Sequence, residues 1–158
     1  MSKWFYFNII LFVVVIWQVA SHFSFPQLIP TVLFGFIGFL FYLFNWTRNA
    51  VFSTIRNVPN RQTKIKLANM SKKIMPYHRW TGTSALVFIF IHVYFVIDRY
   101  SFTFQSPKMM VGLLALLNLM TLVTTGWLRL VRPTGKLRKI HLGLGMSLFL
   151  FIAFHVLL

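Results

Sequence analysis

The sequence predicts an all-α fold, an integral membrane bundle of five transmembrane helices with a cytoplasmic amino terminus and an outer carboxyl terminus. The 158 residues are 58% hydrophobic with a mean hydropathy of +0.72, which is too apolar for a soluble domain. The apolar residues fall into five separate runs, each long enough to cross a bilayer as a helix. Of the sixteen Lys and Arg residues, only Arg99 and Lys108 lie away from one common end of these runs. The positive-inside rule assigns that common end to the cytoplasm.

The spans are expected at about residues 4–20, 29–46, 77–97, 109–130 and 140–158, within one domain that covers residues 1–158. We interpret the first run, which follows Lys3, as a retained helix. A cleaved signal peptide is the alternative, because small residues stand at Ala20 and Ser21. Prolines stand outside the helix interiors or in a first turn, where they are tolerated.

The segment 47–76 is predicted to be a basic cytoplasmic loop. Apolar residues recur in it at partly helical spacing, namely Ile65, Leu67, Met70 and Ile74. This pattern indicates a short helix that lies on anionic lipid headgroups. A docking surface for an acidic cytoplasmic redox partner is a second interpretation, compatible with the first.

Four of the five histidines form a repeated spacing. His78 and His92 are separated by thirteen residues, and so are His141 and His155. Fourteen helical positions place the two rings of each helix on nearly one face, about 21 Å apart along the axis. Because the third and fifth spans run in the same direction, His78 is expected to face His141, the inner pair, and His92 to face His155, the outer pair. His22 lies outside the repeat and is expected to be an interfacial polar residue.

Two facing imidazoles are the axial ligands that a six-coordinate heme iron takes. The repeat therefore predicts two b-type hemes, one per pair. The alternative is that these histidines hydrogen-bond to neighbouring helices or serve a small transporter. A flavin in place of one heme is a further alternative.

Composition excludes several other classes of protein. The chain has no cysteine, so disulfides, cysteine-ligated iron–sulfur clusters and thiolate-bound or covalently attached heme are excluded. Asp98 is the only acidic residue, so paired carboxylates for acid–base catalysis are absent. The net charge of +15 lies in loops beside the apolar runs, where membrane topology and anionic lipid explain it better than nucleic acid does.

Further residues are candidates for contacts to the hemes. Gly82 and Gly145 each follow an inner histidine by four residues and leave room for a flat macrocycle, with helix packing as the alternative. Ala85 and Leu148, between the ligands, are expected to fill the space between the hemes. Basic residues near the span ends are candidates to neutralise heme propionates: Arg79, Lys136, Arg138 and Lys139 at the inner site, and Arg99 and Lys108 at the outer site.

The sequence context of the histidines resembles a known family. Tyr-His78-Arg-Trp-Thr-Gly and Lys-Ile-His141-Leu-Gly, with the doubled histidine interval, are similar to the ferric reductase-like transmembrane domain. Ferric reductases, NADPH oxidases and the heme-binding membrane subunit of the bacterial methionine sulfoxide reductase system share this domain. The resemblance covers about residues 30–158. It implies two hemes between the third and fifth helices, bound by the four histidines, and electron transfer across the membrane.

The chain departs from this family in ways that affect the expected function. Many members have a sixth helix, and the oxidases and eukaryotic reductases carry a flavin and nicotinamide domain that residues 1–158 do not contain. The resemblance therefore implies an oxidoreductase subunit in a bacterial cytoplasmic membrane. A separate cytoplasmic flavoprotein or membrane quinol would be its electron donor, and the outer acceptor stays open. A non-catalytic membrane anchor or heme-binding partner of a soluble protein is the alternative function.

Overall fold

The structure is a computed structural model that describes residues 3–22 and 29–158, in which the chain forms six α-helices. They are α1 (Lys3–His22), α2 (Pro30–Asn57), α3 (Arg61–Ile74), α4 (Tyr77–Tyr100), α5 (Pro107–Val131) and α6 (Gly135–Leu157). All except α3 are long and apolar enough to cross a membrane. The predicted all-α bundle with five apolar spans is therefore confirmed. The role expected of the His22 side chain lies outside the described residues.

The second span is longer than the sequence predicted, because α2 continues past Trp46. The apolar run ends there, but the helix keeps a packed face, on which Ala50 is only 1% exposed. The Thr54 hydroxyl donates to the Ala50 carbonyl oxygen at 2.9 Å, which adds a bond to the last turns. The helix stops just before Pro59, as expected where proline disfavours helical geometry in the preceding residue. Residues 47–57, expected in the loop, are thus helical.

The polar segment after α2 contains α3, the short helix that the interleaved apolar residues predicted. The Asn60 side chain caps it by accepting from the backbone N–H groups of Gln62 at 2.9 Å and Thr63 at 3.2 Å. The apolar side chains of Ile65 and Met70 are half exposed. The helix therefore lies outside the bundle and presents apolar and basic side chains together.

The long helices alternate in direction. α4 packs most closely against α2, α6 packs most closely against α5, and α1 contacts both α2 and α6. The hydrogen bonds between helices show that α2 and α4 are antiparallel, as are α5 and α6. The ring contacts described below show that α4 and α6 are parallel. In the described part of the chain, α4 and α6 are not a closely packed pair. Side chains rather than backbones therefore meet between them.

The buried core lies beside the histidine-bearing helices. Leu148, 2% exposed, packs with Tyr42, Trp46 and Leu119. The Tyr42 hydroxyl donates to the Gly145 carbonyl oxygen at 3.1 Å, which fixes α2 against α6. Many large apolar side chains are exposed on the outside of the bundle, as expected of a protein surrounded by membrane lipid.

Candidate functional site

The four repeated histidines meet as two pairs between α4 and α6. The ring centres of the inner pair, His78 and His141, are 6.1 Å apart and their planes form an angle of 77°. The ring centres of the outer pair, His92 and His155, are 6.4 Å apart at 89°. All four residues are partly buried. The histidines of the third and fifth spans therefore face each other in both pairs, as the parallel direction of these spans predicted.

Both separations match the space that one metal ion takes between two imidazoles. A metal–nitrogen bond of about 2.0 Å on each side, with about 1.1 Å from each nitrogen to its ring centre, sets the centres about 6.2 Å apart. Edge-to-face packing of aromatic rings also occurs at about 4.5–7 Å between centres. The two separations therefore allow an ion between the rings, and the hydrogen bonds of the ring nitrogens distinguish the two arrangements better than the distance does.

In the outer pair, backbone carbonyls fix which ring nitrogen carries the proton. His92 Nδ1 lies 2.6 Å from the Thr31 carbonyl oxygen, and His155 Nδ1 lies 3.0 Å from the Lys108 carbonyl oxygen. A carbonyl oxygen only accepts, so each neutral ring carries its proton on Nδ1 and leaves the Nε2 lone pair free. This is the tautomer and the outer-shell bonding of a metal-ligating histidine.

In the inner pair, His141 Nδ1 is bonded in the same way. It donates to the Leu122 carbonyl oxygen at 3.1 Å and to Thr125 Oγ1 at 3.0 Å. The Thr125 hydroxyl itself donates to the Leu122 carbonyl at 2.8 Å, so its lone pairs accept from the ring. The Nε2 atom of His141 is therefore the free nitrogen as well.

The partner of His78 is a side chain that has two orientations. Asn45 lies 2.8 Å from His78 Nδ1 and 2.8 Å from Thr81 Oγ1. With its oxygen toward His78 it accepts from Nδ1, as the three carbonyls do. With its nitrogen toward His78 it donates to Nδ1, and its oxygen accepts from the Gly82 backbone N–H at 2.9 Å. Metal binding at His78 Nε2 requires the first orientation.

Three glycines let the imidazoles lie directly against neighbouring backbones. A Cβ on Gly35 would lie 2.8 Å from His92 Nδ1, and one on Gly112 would lie 2.9 Å from His155 Cε1. A Cβ on Gly126 would lie 3.3 Å from His141 Cε1. The sequence analysis missed these positions. A signal exists in the sequence, because the same interval joins Pro30 to Gly35 at the start of α2 and Pro107 to Gly112 at the start of α5.

The two glycines predicted from the sequence lie elsewhere. A Cβ on Gly82 would meet the Asn45 amide at 3.4 Å, so this position is next to the partner of His78. A Cβ on Gly145 would meet the Trp46 ring at 2.6 Å. The space beside Gly145 is filled by that indole, which favours helix packing over a contact to a macrocycle there.

The residues expected between the two sites are buried. Ala85 is 1% exposed and Leu148 is 2% exposed, and both lie midway along their helices between the two histidine levels. Ile89 and Ile152 are partly buried against the core cluster. These side chains separate the inner pair from the outer pair with apolar material.

The six predicted basic residues are spread over the surface of the bundle. The Arg79 guanidinium lies over the Trp127 ring at 5.9 Å, and that of Arg99 lies over the Tyr100 ring at 5.8 Å. Lys108 meets the outer pair through its backbone carbonyl rather than its ammonium group. The other three lie exposed in the first turns of α6: Lys136, Arg138 and Lys139.

Two arginines that were not singled out from the sequence follow the side-chain partners of the inner pair by about one helical turn. Arg48 follows Asn45 on α2, and Arg129 follows Thr125 on α5. The buried Nε atom of Arg48 has no hydrogen-bond partner in the described structure. A signal was available, because each arginine lies about one helical turn after a polar residue within an apolar run, Asn45 or Thr125.

The donor set decides which metal groups these sites fit. Among residues 3–22 and 29–158, no three His, Cys, Asp or Glu side chains converge on one point. Each pair offers two imidazole nitrogens, which is too few for a structural zinc site. Two axial imidazoles complete the coordination of an iron whose other four ligands come from a porphyrin. The residues present therefore fit a heme better than a bare metal ion.

The fold and the site define a helical membrane protein with two pairs of facing histidines at different levels of the bundle. No family model matches the chain, and neither a curated protein nor a solved structure matches it.

Proposed function

We propose that the protein is a diheme b-type cytochrome that carries electrons across the membrane, as the membrane subunit of a ferric reductase-like oxidoreductase system with a separate electron donor. One observation carries the proposal. Three of the four paired imidazoles donate from Nδ1 to a backbone carbonyl, and the fourth has an amide at the same nitrogen. Bonding of this kind leaves Nε2 free for a metal in those three rings, and in His78 as well when the Asn45 oxygen faces the ring.

The chain's own residues would perform three tasks in this function. The histidines would hold each iron from both sides, and the carbonyls of Thr31, Leu122 and Lys108 would prevent the rings from turning. Ala85 and Leu148 would keep water out of the region between the two sites. The bound hemes supply the one-electron chemistry, for which the protein provides ligation and a low-dielectric surround.

The direction and partners follow from charge and from the family resemblance. The end of the bundle that carries the inner pair and α3 is the basic end, which the positive-inside rule places in the cytoplasm. A cytoplasmic flavoprotein or a membrane quinol would reduce the inner site, and an outer acceptor would oxidise the outer site. The proposed location is the cytoplasmic membrane of a bacterium.

The test is a count of hemes per chain on the purified full-length protein in detergent. Optical spectra of the oxidised and dithionite-reduced protein, with a pyridine hemochrome assay, should show two low-spin b hemes. His92→Ala should retain one heme, and His22→Ala, which changes the histidine outside the repeat, should retain two. A folded wild-type protein that binds no heme, or unchanged stoichiometry in His92→Ala, would refute the proposal.

A second candidate function is a non-catalytic anchor or heme-binding partner of a soluble protein. The observation that favours it is α3, which exposes Ile65, Met70 and its basic side chains away from the histidine sites. The two functions differ in electron flow. Proteoliposomes with ferricyanide inside and dithionite outside should show oxidant reduction that depends on the wild-type protein and is lost in His92→Ala. An anchor would give only the background rate.

A further inference from the structure

The inner pair has the same supporting arrangement on both sides. On α2, Asn45 contacts His78 Nδ1, and Arg48 follows three residues later. On α5, Thr125 contacts His141 Nδ1, and Arg129 follows four residues later. A spacing of three or four residues keeps each arginine on the helix face that contacts the imidazole, about one turn nearer the basic end of the bundle. The two arginines therefore lie about one turn beyond the inner-pair contacts, on different helices.

The charges of these two arginines are not balanced by the protein. Arg48 and Arg129 are both partly buried. The buried Nε–H of Arg48 lacks an acceptor in the described structure. Asp98, the only acidic side chain of the chain, lies twenty residues from His78 along α4, which is about 30 Å of helix. An anion from outside the polypeptide would satisfy this donor and offset the two positive charges.

We propose that Arg48 and Arg129 form a carboxylate-binding site for the tetrapyrrole that the inner pair holds. This inference rests on the proposed function, because it assigns the anionic side groups of the inner heme to two named residues. Guanidinium groups bind carboxylates through paired N–H···O bonds and are the side chains best suited to this task in a partly buried place.

The other basic residues at this end of the bundle fit the task less well. The Arg79 guanidinium lies over Trp127, and the basic side chains in the first turns of α6 are exposed. The Arg48 guanidinium also lies over an aromatic ring, that of Phe52, at 5.5 Å, which holds the side chain in place while Nε stays unbonded. Arg48 and Arg129, by contrast, each follow a residue that contacts an inner imidazole by about one helical turn.

The experiment compares two ligands that differ only at the carboxylates. Heme-depleted full-length protein in uncharged detergent is titrated with protoheme and with protoheme dimethyl ester, whose carboxylates are blocked. Arg48→Gln and Arg129→Gln should each weaken binding of protoheme at one of the two sites by about tenfold, the value of one charged hydrogen bond. The same variants should leave the affinity for the dimethyl ester unchanged. Arg48→Lys, which keeps the charge, should lose less than Arg48→Gln.

A matched control and a second measurement separate this role from a structural one. Arg132→Gln removes one charge from the exposed turn after α5 and should change neither affinity. In a redox titration of the loaded protein, Arg48→Gln and Arg129→Gln should lower one of the two midpoint potentials and leave the other in place, because a positive charge favours the reduced heme.

Three outcomes would overturn the inference. Equal losses for protoheme and its dimethyl ester would show that the arginines only maintain the fold. No loss for protoheme would show that neither arginine binds its carboxylates. The third outcome concerns lipid. The wild type, but not the arginine variants, would be stabilised when phosphatidylglycerol is added to phosphatidylcholine nanodiscs, and protoheme and its dimethyl ester would bind with equal affinity. A lipid phosphate would then be the occupant of the site. A wild type that binds neither ligand would instead refute the proposed function itself.

Discussion

Replacing Gly35 by alanine should weaken the outer site while leaving the inner site intact. The new Cβ would lie 2.8 Å from His92 Nδ1, whereas ordinary contact begins at 3.4 Å. The helix backbone that carries the new Cβ has little freedom to move in a packed bundle. The His92 ring must therefore move away by about 0.6 Å. This displacement acts on the nitrogen that donates to the Thr31 carbonyl at 2.6 Å. Loss of such outer-shell support typically costs 10–100-fold in metal affinity.

The assay for Gly35→Ala is a heme titration followed by difference spectra at each step. We expect one binding phase to weaken by about 10–100-fold and the other to keep its wild-type affinity. Gly143→Ala is the matched control, because a Cβ there meets nothing within 4 Å. Two wild-type phases in Gly35→Ala would refute the claim that the outer ring is held against the backbone of α2. Loss of both phases would point to a folding defect instead.

Three further predictions concern the inner pair, the helix packing and the ring planes. Asn45→Leu removes the partner of His78 Nδ1 and should weaken one heme phase by about 10–100-fold in the same titration, whereas Asn45→Asp, which can only accept, should retain it; equal behaviour of the two variants would contradict this role. Gly145→Ala places a Cβ 2.6 Å from the buried Trp46 ring and should destabilise the protein by about 1–3 kcal/mol in a thermal or denaturant melt, with two hemes still bound; an unchanged melt would contradict the packing. The near-perpendicular ring planes in both pairs should give strongly anisotropic low-spin ferric signals in low-temperature EPR, and signals typical of parallel rings would show that the imidazoles turn when heme binds.

The spans and the histidine pairs could be predicted because they depend on side-chain type. Apolar runs identify the helices, and the fourteen-residue interval puts His78 and His92 on one face of α4. The predicted end of α2 was wrong because it was taken from the apolar run. That run stops at Trp46, while the helix continues to Asn57 with Ala50 packed against the bundle. Hydropathy measures burial in lipid, and helix geometry persists beyond it.

The partners of the imidazoles could not be predicted from residue type. Thr31, Lys108 and Leu122 each contribute a backbone carbonyl, a group that every residue has. Lys108 was singled out for its ammonium group, but the contact that the structure shows is made by its main chain. Gly145 was ambiguous because a missing side chain suits a flat ligand and a neighbouring indole equally, and only the packing of Trp46 separates the two.

The distribution of the ligands along the chain imposes an order on biogenesis. Each site takes one histidine from α4 and one from α6, so the hairpin of α2 and α4 emerges from the ribosome with two half-complete sites. His155 is the last of the four histidines along the chain. Under the proposed function, neither site could close around a heme until α6 has been inserted beside α5. Heme capture would therefore follow insertion of α6, and a membrane quality-control system that removes chains without heme would act on the inserted bundle rather than on a nascent chain.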